Sequence, residues 1–253
     1  MPARERSFRT EAVVLRHSDW GEADRILTLY SREQGKLRAI AKGVRKMRSR
    51  KAGHLEPFTR VDLQLARGRD LLIVTQAETV EPYLNLRENL LRIAYAAYVV
   101  ELLDRFTYDE DSHPPLYRLL TDTLARLNRE EAPGLAIRYY EIRLLDSLGY
   151  RPQLFQCVSC ETEIQPEDQY FSLSEGGVMC PGCGSNAREA LPISMQALKY
   201  LRHFQRSSYA QAARARMNPE HERELEALMQ RYLTYLLERN LNTPAFLRQI
   251  KSD

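Results

Sequence analysis

Four cysteines arranged as two Cys-x2-Cys pairs constrain this chain more than any other feature: Cys157 with Cys160, and Cys180 with Cys183. Each pair bends the backbone so that both sulfurs face one point. The nineteen residues between the pairs fall within the range of four-thiolate metal sites. A tetrahedral thiolate set suits zinc and leaves no open coordination position, so the spacing predicts one structural zinc ion rather than a catalytic one. An iron–sulfur cluster and unrelated buried cysteines are the alternatives. Between the pairs, Gln169 to Leu173 reads as a strand, Gly176-Gly177 as a turn and Val178-Met179 as the return. That hairpin carries the second pair back to the first. The module, residues 151–190, has little core of its own. In zinc-finger peptides metal binding supplies about 10–16 kcal/mol of folding energy. Gly184 follows the second pair, but Glu161 stands in the matching place after the first, which predicts a strained turn there.

Thiols paired for metal rather than for disulfides fit a reducing compartment. The stretch Met1 to Arg6 is charged and no apolar run follows it, so no signal peptide is read. The longest uncharged apolar run, Ile93 to Val100, falls far short of the roughly 18 residues of a membrane span. A cytoplasmic protein without a membrane segment is the expectation.

Residues 1–82 read as β structure. Glu11 to Arg16, Asp24 to Ser31 and Leu37 to Ala41 form three strands. Val61, Leu63 and Leu65 alternate with polar neighbours in a fourth, and Leu71 to Thr75 is a fifth. Five short strands with a long interruption between the third and fourth suit a five-stranded β-barrel of the OB type, with an SH3-like barrel as the rival. From Asn85 the period becomes helical. One apolar helix is expected to Phe106, a second opens at Pro114-Pro115, and a third runs from about Gly134 to Leu148 with Gly149 as its left-handed cap. After the cysteines, Ser194 and Asn218 are N-caps of further helices. The fold class is therefore multidomain α+β. Residues 1–82 are expected to be a nucleic-acid-binding barrel, 83–150 plus 191–253 an α-helical domain, and 151–190 a zinc-binding insertion.

Charge separates the same regions. Residues 1–82 carry 17 Lys and Arg against 11 Asp and Glu, or +6; the remainder carries 20 against 23, or −3. No acid lies between Gln34 and Leu55, a stretch holding Lys36, Arg38, Lys42, Arg45, Lys46, Arg48, Arg50 and Lys51. Such a segment, between the third and fourth strands of an OB-type barrel, is placed to neutralise phosphates; a solvated loop is the plain alternative. Aromatics are sparse here, and Trp20, before Gly21, is the one candidate for stacking on bases, or else a lid on the barrel. DNA contact led by the phosphate backbone follows.

Other signals carry less. Gly182 to Ala187 matches a dinucleotide fingerprint in letters only, since it contains a cysteine of the metal set and lacks a strand–turn–helix setting. Asp109-Glu110-Asp111 suggests a nuclease, but it stands in a loop between helices, where a solvated cluster is the plainer reading. Lys199, Arg202, Arg206, Arg214 and Arg216 form a second basic cluster. The cysteine module itself, with Arg151 and Arg188 against Glu161, Glu163, Glu167, Asp168 and Glu175, is poorly composed for phosphate. That weighs against a zinc-ribbon transcription or translation factor.

Several short motifs follow one another in order: Gly21-Glu22-Ala23-Asp24, Gly35, Ala41-Lys42-Gly43-Val44-Arg45 and Leu55-Glu56-Pro57-Phe58. Tyr140 to Leu145, then Leu148-Gly149-Tyr150-Arg151-Pro152 running towards Cys157, and Gly176-Gly177 complete the series. Taken together and in this order, they resemble the RecO family of bacterial DNA-repair proteins over nearly the whole chain. The resemblance implies an OB-fold followed by a helical domain with a zinc module. It implies a non-enzymatic protein that binds single- and double-stranded DNA and anneals complementary strands. It further implies RecR and single-strand-binding protein as partners, and indirect assistance to RecA loading.

Overall fold

The computed structural model describes residues 6–129 and 133–252. The chain divides into two compact units near residue 130. The first begins with strands β1 (Ser7–Trp20), β2 (Asp24–Ser31), β3 (Gly35–Ala41), β4 (Arg60–Arg67) and β5 (Leu72–Glu81). They close into a barrel in the order β1-β2-β3-β5-β4, the OB-type arrangement expected from the strand spacing. Alternation explains the core. Val61, Leu63 and Leu65 of β4, Leu27 and Leu29 of β2, and Leu37 and Ala39 of β3 all point inward and are buried.

Two strands are longer than their apolar pattern predicts. The expected strand from Glu11 to Arg16 is the middle of a fourteen-residue β1, because that strand serves two neighbours. Its first half pairs with β4 from Ser7↔Ala66 to Val13↔Arg60, and its second half pairs with β2 out to Trp20↔Asp24. A register shift between Val14 and Arg16 bends it from one partner to the other. Strand β5 runs on to Glu81 because β4 offers it a partner as far as Arg60. The barrel is closed by a short parallel pairing, Ala39↔Leu72 and Ile40↔Ile73.

Helices α1 (Leu84–Arg87), α2 (Leu90–Phe106) and α3 (Pro114–Arg129) complete this unit. The single helix expected from Asn85 to Phe106 is broken at Asn89. That side chain accepts a hydrogen bond from the Arg92 amide at 3.1 Å and starts α2 as its N-cap. Apolar periodicity runs through the break, which is why it is hidden in the pattern. Tyr95, Tyr98, Val99, Leu102 and Leu103 of α2 are buried, as are Leu116, Leu120, Leu124 and Leu127 of α3. A polar clamp ties α3 to the barrel. The Tyr117 hydroxyl donates to Glu11 Oε1 at 2.8 Å, and Arg60 pairs with the same carboxylate at 2.8 Å. Burial and then Glu11 raise the Tyr117 pKa, so the phenol stays protonated as the donor.

The second unit holds α4 (Gly134–Ser147), strands β6 (Gln169–Ser172) and β7 (Gly177–Met179), α5 (Pro181–Gly184) and β8 (Leu191–Ile193). Helices α6 (Met195–Arg206), α7 (Tyr209–Ala212) and α8 (Pro219–Leu237) follow, with α9 (Thr243–Ser252) as far as Gln249; its last residues, from Ile250, count with the first unit. Helix α4 ends as expected. Gly149 takes φ +83°, a conformation that favours glycine, and the Tyr150 amide reaches back to the Leu145 carbonyl at 2.9 Å. Ser194 and Asn218 cap α6 and α8, each accepting from the amide three residues on. Among the described residues no helix is long and apolar enough to cross a membrane.

Within α4, Arg138 and Glu141 form an ion pair at 3.0 Å, with 5% and 0% of their side-chain surfaces exposed. Removing one partner breaks a buried ion pair, at a cost of about 3–5 kcal/mol. Glu141→Ala is therefore expected to lower the urea midpoint sharply, whereas replacing both residues by apolar side chains of similar volume should lower it far less. Circular dichroism of the two variants makes the comparison.

Candidate metal centre and nucleic-acid interface

The sulfurs of Cys157, Cys160, Cys180 and Cys183 all lie within 4.8 Å of one another. The Cys160 and Cys180 sulfurs are 3.8 Å apart, and all four residues are free cysteines. Disulfide sulfurs would stand at about 2.05 Å. A tetrahedron of thiolates about 2.3 Å from a metal has edges of about 3.8 Å, so the donor set fits one ion. The first pair sits on a tight loop in which the Cys157 amide donates to the Thr162 carbonyl at 2.8 Å and the Glu161 amide to the Cys157 carbonyl at 2.9 Å. The second pair lies across the start of α5, one sulfur before the helix and one within it. The Val158 amide, inside the first pair, donates to the Val178 carbonyl of β7 at 2.9 Å and ties that pair to the sheet β7-β6-β8, whose strand β7 leads directly into Cys180. The β6–β7 hairpin is the one expected from Gln169 to Met179. Strand β8 is an addition, too short and proline-broken to announce itself.

The two knuckles solve the same turn differently. Glu161 takes φ +62°, a left-handed conformation that costs a non-glycine residue roughly 1–2 kcal/mol. At Gly184 the demand is space: an added Cβ would collide with the Tyr170 side chain. The strain expected after the first pair is thus present, and it removes no sulfur from the cluster.

Hydrogen bonds prepare the sulfurs unequally. The Thr162 hydroxyl lies 3.1 Å from the Cys160 sulfur and, with the Thr162 amide, holds that thiol down to about 6. Burial pushes Cys157 up, but the amides of Cys160, Cys180 and Ser159 outweigh it and lower its pKa; the Cys180 amide donates at 3.3 Å. The Ser159 hydroxyl favours a thiolate at Cys183, yet Cys160 and Cys180 crowd it and push it up to about 12. A metal cation is what allows all four to ionise together.

The basic segment divides into two groups. Lys36, on β3, turns inward: its ammonium donates to the carbonyls of Asp104 and Thr107 at 2.8 and 2.6 Å and faces the Asp104 carboxylate at 3.2 Å. Lys51 donates to the Val74 carbonyl at 3.0 Å. Arg38, Lys42, Arg45, Lys46, Arg48 and Arg50 are exposed. Apart from Arg38 on β3, these lie on residues 42–51, a series of turns that leads into a single 3-10 turn at Ala52–His54. Val44 and Leu55 are buried in the barrel core and pin both ends of the arch. Asp24 accepts from the Gly43 amide at 2.7 Å, the Ala23 carbonyl from the Arg45 amide at 2.9 Å, and the Arg45 side chain pairs with Asp19 at 3.3 Å. The motifs at 21–24 and 41–45 are therefore one structural joint.

Comparison with known proteins agrees with this geometry. Residues 5–83 match the family model "Recombination protein O N terminal", and residues 87–245 match "Recombination protein O C terminal". The chain belongs to the RecO family. The "DNA repair protein RecO" of Roseiflexus sp. (strain RS-1) is 42% identical over 248 residues, covering 98% of this chain and 87% of the relative. That of Pelotomaculum thermopropionicum is 40% identical over 240 residues, 95% and 93% of the two chains. That of Symbiobacterium thermophilum is 33% identical over 248 residues, 97% and 98%.

In this RecO-family chain the acidic triplet has a place in the barrel wall. The Glu110 amide donates to the Lys36 carbonyl at 2.9 Å, so residues 109–110 extend the edge of β3, and the Asp109 carboxylate stands 4.0 Å from the Lys36 ammonium. The second basic cluster is also partly committed. Arg202 donates to the Leu154 carbonyl at 2.7 Å, and the guanidinium groups of Arg202 and Arg206 lie 4.9 and 3.5 Å from the centre of the Phe155 ring. They hold the approach to the first cysteine pair against α6, while Lys199, Arg214 and Arg216 stay exposed. Thr162 and Asp104 escape a reading of the sequence, and Asp24 enters it only as part of a motif, since their positions in space give them their roles. A polar residue two places after a knuckle is the sole hint of Thr162.

Two outcomes check the metal centre. Glu161→Gly should stabilise the metal-loaded protein by about 0.5–1 kcal/mol, read as a higher thermal midpoint, because glycine relieves the left-handed turn. Because each sulfur must be a thiolate to bind, protons compete with the metal. Release to a colorimetric chelator should therefore rise as pH falls, never as it rises.

Proposed function

We propose that this chain is a non-enzymatic DNA-binding and strand-annealing protein of recombinational repair, with the barrel of residues 1–82 as its DNA-binding domain. The observation that carries the reading is the arch at 42–51, a structured loop whose cations face solvent while its ends are anchored in the barrel core. Arg38, Lys42, Arg45, Lys46, Arg48 and Arg50 contact phosphates, and Lys36 and Lys51 position the segment from within. Holding two strands by phosphate screens their mutual repulsion while bases search for partners. Contact with backbone rather than base edges accepts any sequence, as annealing requires.

The four cysteines hold one structural zinc ion, a tetrahedral thiolate set being closed to substrate. The ion staples residues 151–190 and takes no part in chemistry. Residues 83–150 and 191–253 form the domain that receives protein partners. Membership of the RecO family supports RecR and single-strand-binding protein as those partners, with RecA loading as the downstream event. A nucleoid-associated cytoplasmic location follows from that role.

Six phosphate contacts predict a log–log salt slope of about −5 for duplex DNA. Replacing Lys42, Lys46 and Arg48 by alanine should make the slope shallower by about 3 and weaken single- and double-stranded DNA alike. Arg45 is left intact because it also holds the joint to Asp19. Gel-shift titration across salt measures both quantities, and an unchanged slope would sink the assignment. Stripping the metal should loosen the cysteine module first and leave the slope as it was.

A further inference from the structure

Trp20 stands outside the barrel instead of covering it. It is 58% exposed and makes no aromatic or cation–π contact among the described residues. The fold does not need the ring, yet the backbone beneath it is held from several sides. Trp20 is the last residue of β1 and is registered against Asp24. Asp24 in turn accepts from the Gly43 amide at 2.7 Å. Asp19, the preceding residue, is flanked by Arg25 at 3.2 Å and Arg45 at 3.3 Å. The hairpin tip and the start of the basic arch are thus one rigid piece. At the arch, Met47 is fully exposed between Lys46 and Arg48. Two exposed apolar side chains beside the exposed cations Lys42, Lys46, Arg48 and Arg50, with Glu22 an exposed acid at the hairpin tip, offer what an unpaired nucleotide requires, a face for the base and a charge for the phosphate.

We infer that Trp20 stacks on an unpaired base of a single strand held by the basic arch, and so sets a preference for single-stranded over duplex DNA that phosphate contacts alone cannot supply. The inference rests on the barrel being the DNA-binding surface and adds to it the residue that distinguishes the two forms. In a duplex the base faces are already stacked on one another, so Trp20 has nothing to receive. In a single strand each base has a free face, and stacking on an aromatic side chain is insensitive to sequence. Charge selects the occupant: no acid lies between residues 35 and 54, so an anionic polymer fits this surface and an acidic or neutral peptide fits only half of it.

Trp20 is the sole tryptophan of the chain, so tryptophan emission reports this position alone. Titrating the full chain with a short oligothymidylate, which cannot pair with itself, should quench the emission in step with the anisotropy of a dye-labelled copy of the oligomer. A duplex of mixed sequence should raise the anisotropy with little quenching. Trp20→Ala should weaken oligothymidylate binding by about tenfold and leave duplex affinity and the salt slope unchanged, while Trp20→Phe should keep most of the single-strand affinity. Emission that stays constant at saturating oligothymidylate overturns the inference. So does a Trp20→Ala variant that loses both forms of DNA equally, or one that binds both normally and loses only a protein partner. If the unaltered chain raises the anisotropy of neither DNA, the barrel assignment itself falls; if it binds both and Trp20 is silent, only the stacking contact falls.

Discussion

Lys36 sends its ammonium group from β3 to the C-terminal end of α2, where the carbonyls of Asp104 and Thr107 and the carboxylate of Asp104 surround it. A helix ends with carbonyls that lack partners inside the helix and with a partial negative charge, and a cation answers both. The same residue lends its own carbonyl to the Glu110 amide, so the chain leaving α2 extends the edge of β3. A barrel closed between β3 and β5 by only two paired positions gains a covered edge in this way. Side chain and main chain of one residue together join the barrel to the helices of its unit.

That commitment explains why eight neighbouring cations are not equivalent. An amine buried against carbonyls gives up water for hydrogen bonds of similar strength and gains position, whereas one that must reach a phosphate has to stay hydrated until it binds. Lys36 and Lys51 belong to the first kind and the six exposed cations to the second. The joint between residues 19–24 and 43–45 fixes the arch that carries most of the latter. Its charge is presented on a frame rather than on a loose chain, which lowers the ordering cost of binding.

The cysteine module follows a different economy. Its two short strands and one-turn helix enclose too little apolar surface to be self-supporting, and its residues lean on neighbours: Phe171 packs edge-on against Tyr232 of α8 at 5.1 Å, and Arg202 and Arg206 clasp Phe155. Four sulfurs brought within 4.8 Å would repel one another as thiolates, so a cation at their centre relieves repulsion and closes the loops at once. The left-handed Glu161 shows that the cluster tolerates local backbone strain to keep its geometry.

Much of this was legible in the chain before any coordinates. Side-chain alternation in β4, the proline and asparagine that open α8, the glycine that ends α4 and the two cysteine pairs each act through local geometry, so each could be read from its neighbours in sequence. The order of short motifs carried the family. What local pattern does not contain is the identity of distant partners. It could not show that β1 runs on to serve two strands, that Asn89 interrupts an apolar run, or that the acidic triplet finishes a barrel edge. Nor could it sort Lys36 from Lys42, two lysines six residues apart with the same charge. Which of them meets solvent depends on where the end of α2, nearly 70 residues later, comes to rest, and only tertiary packing decides that.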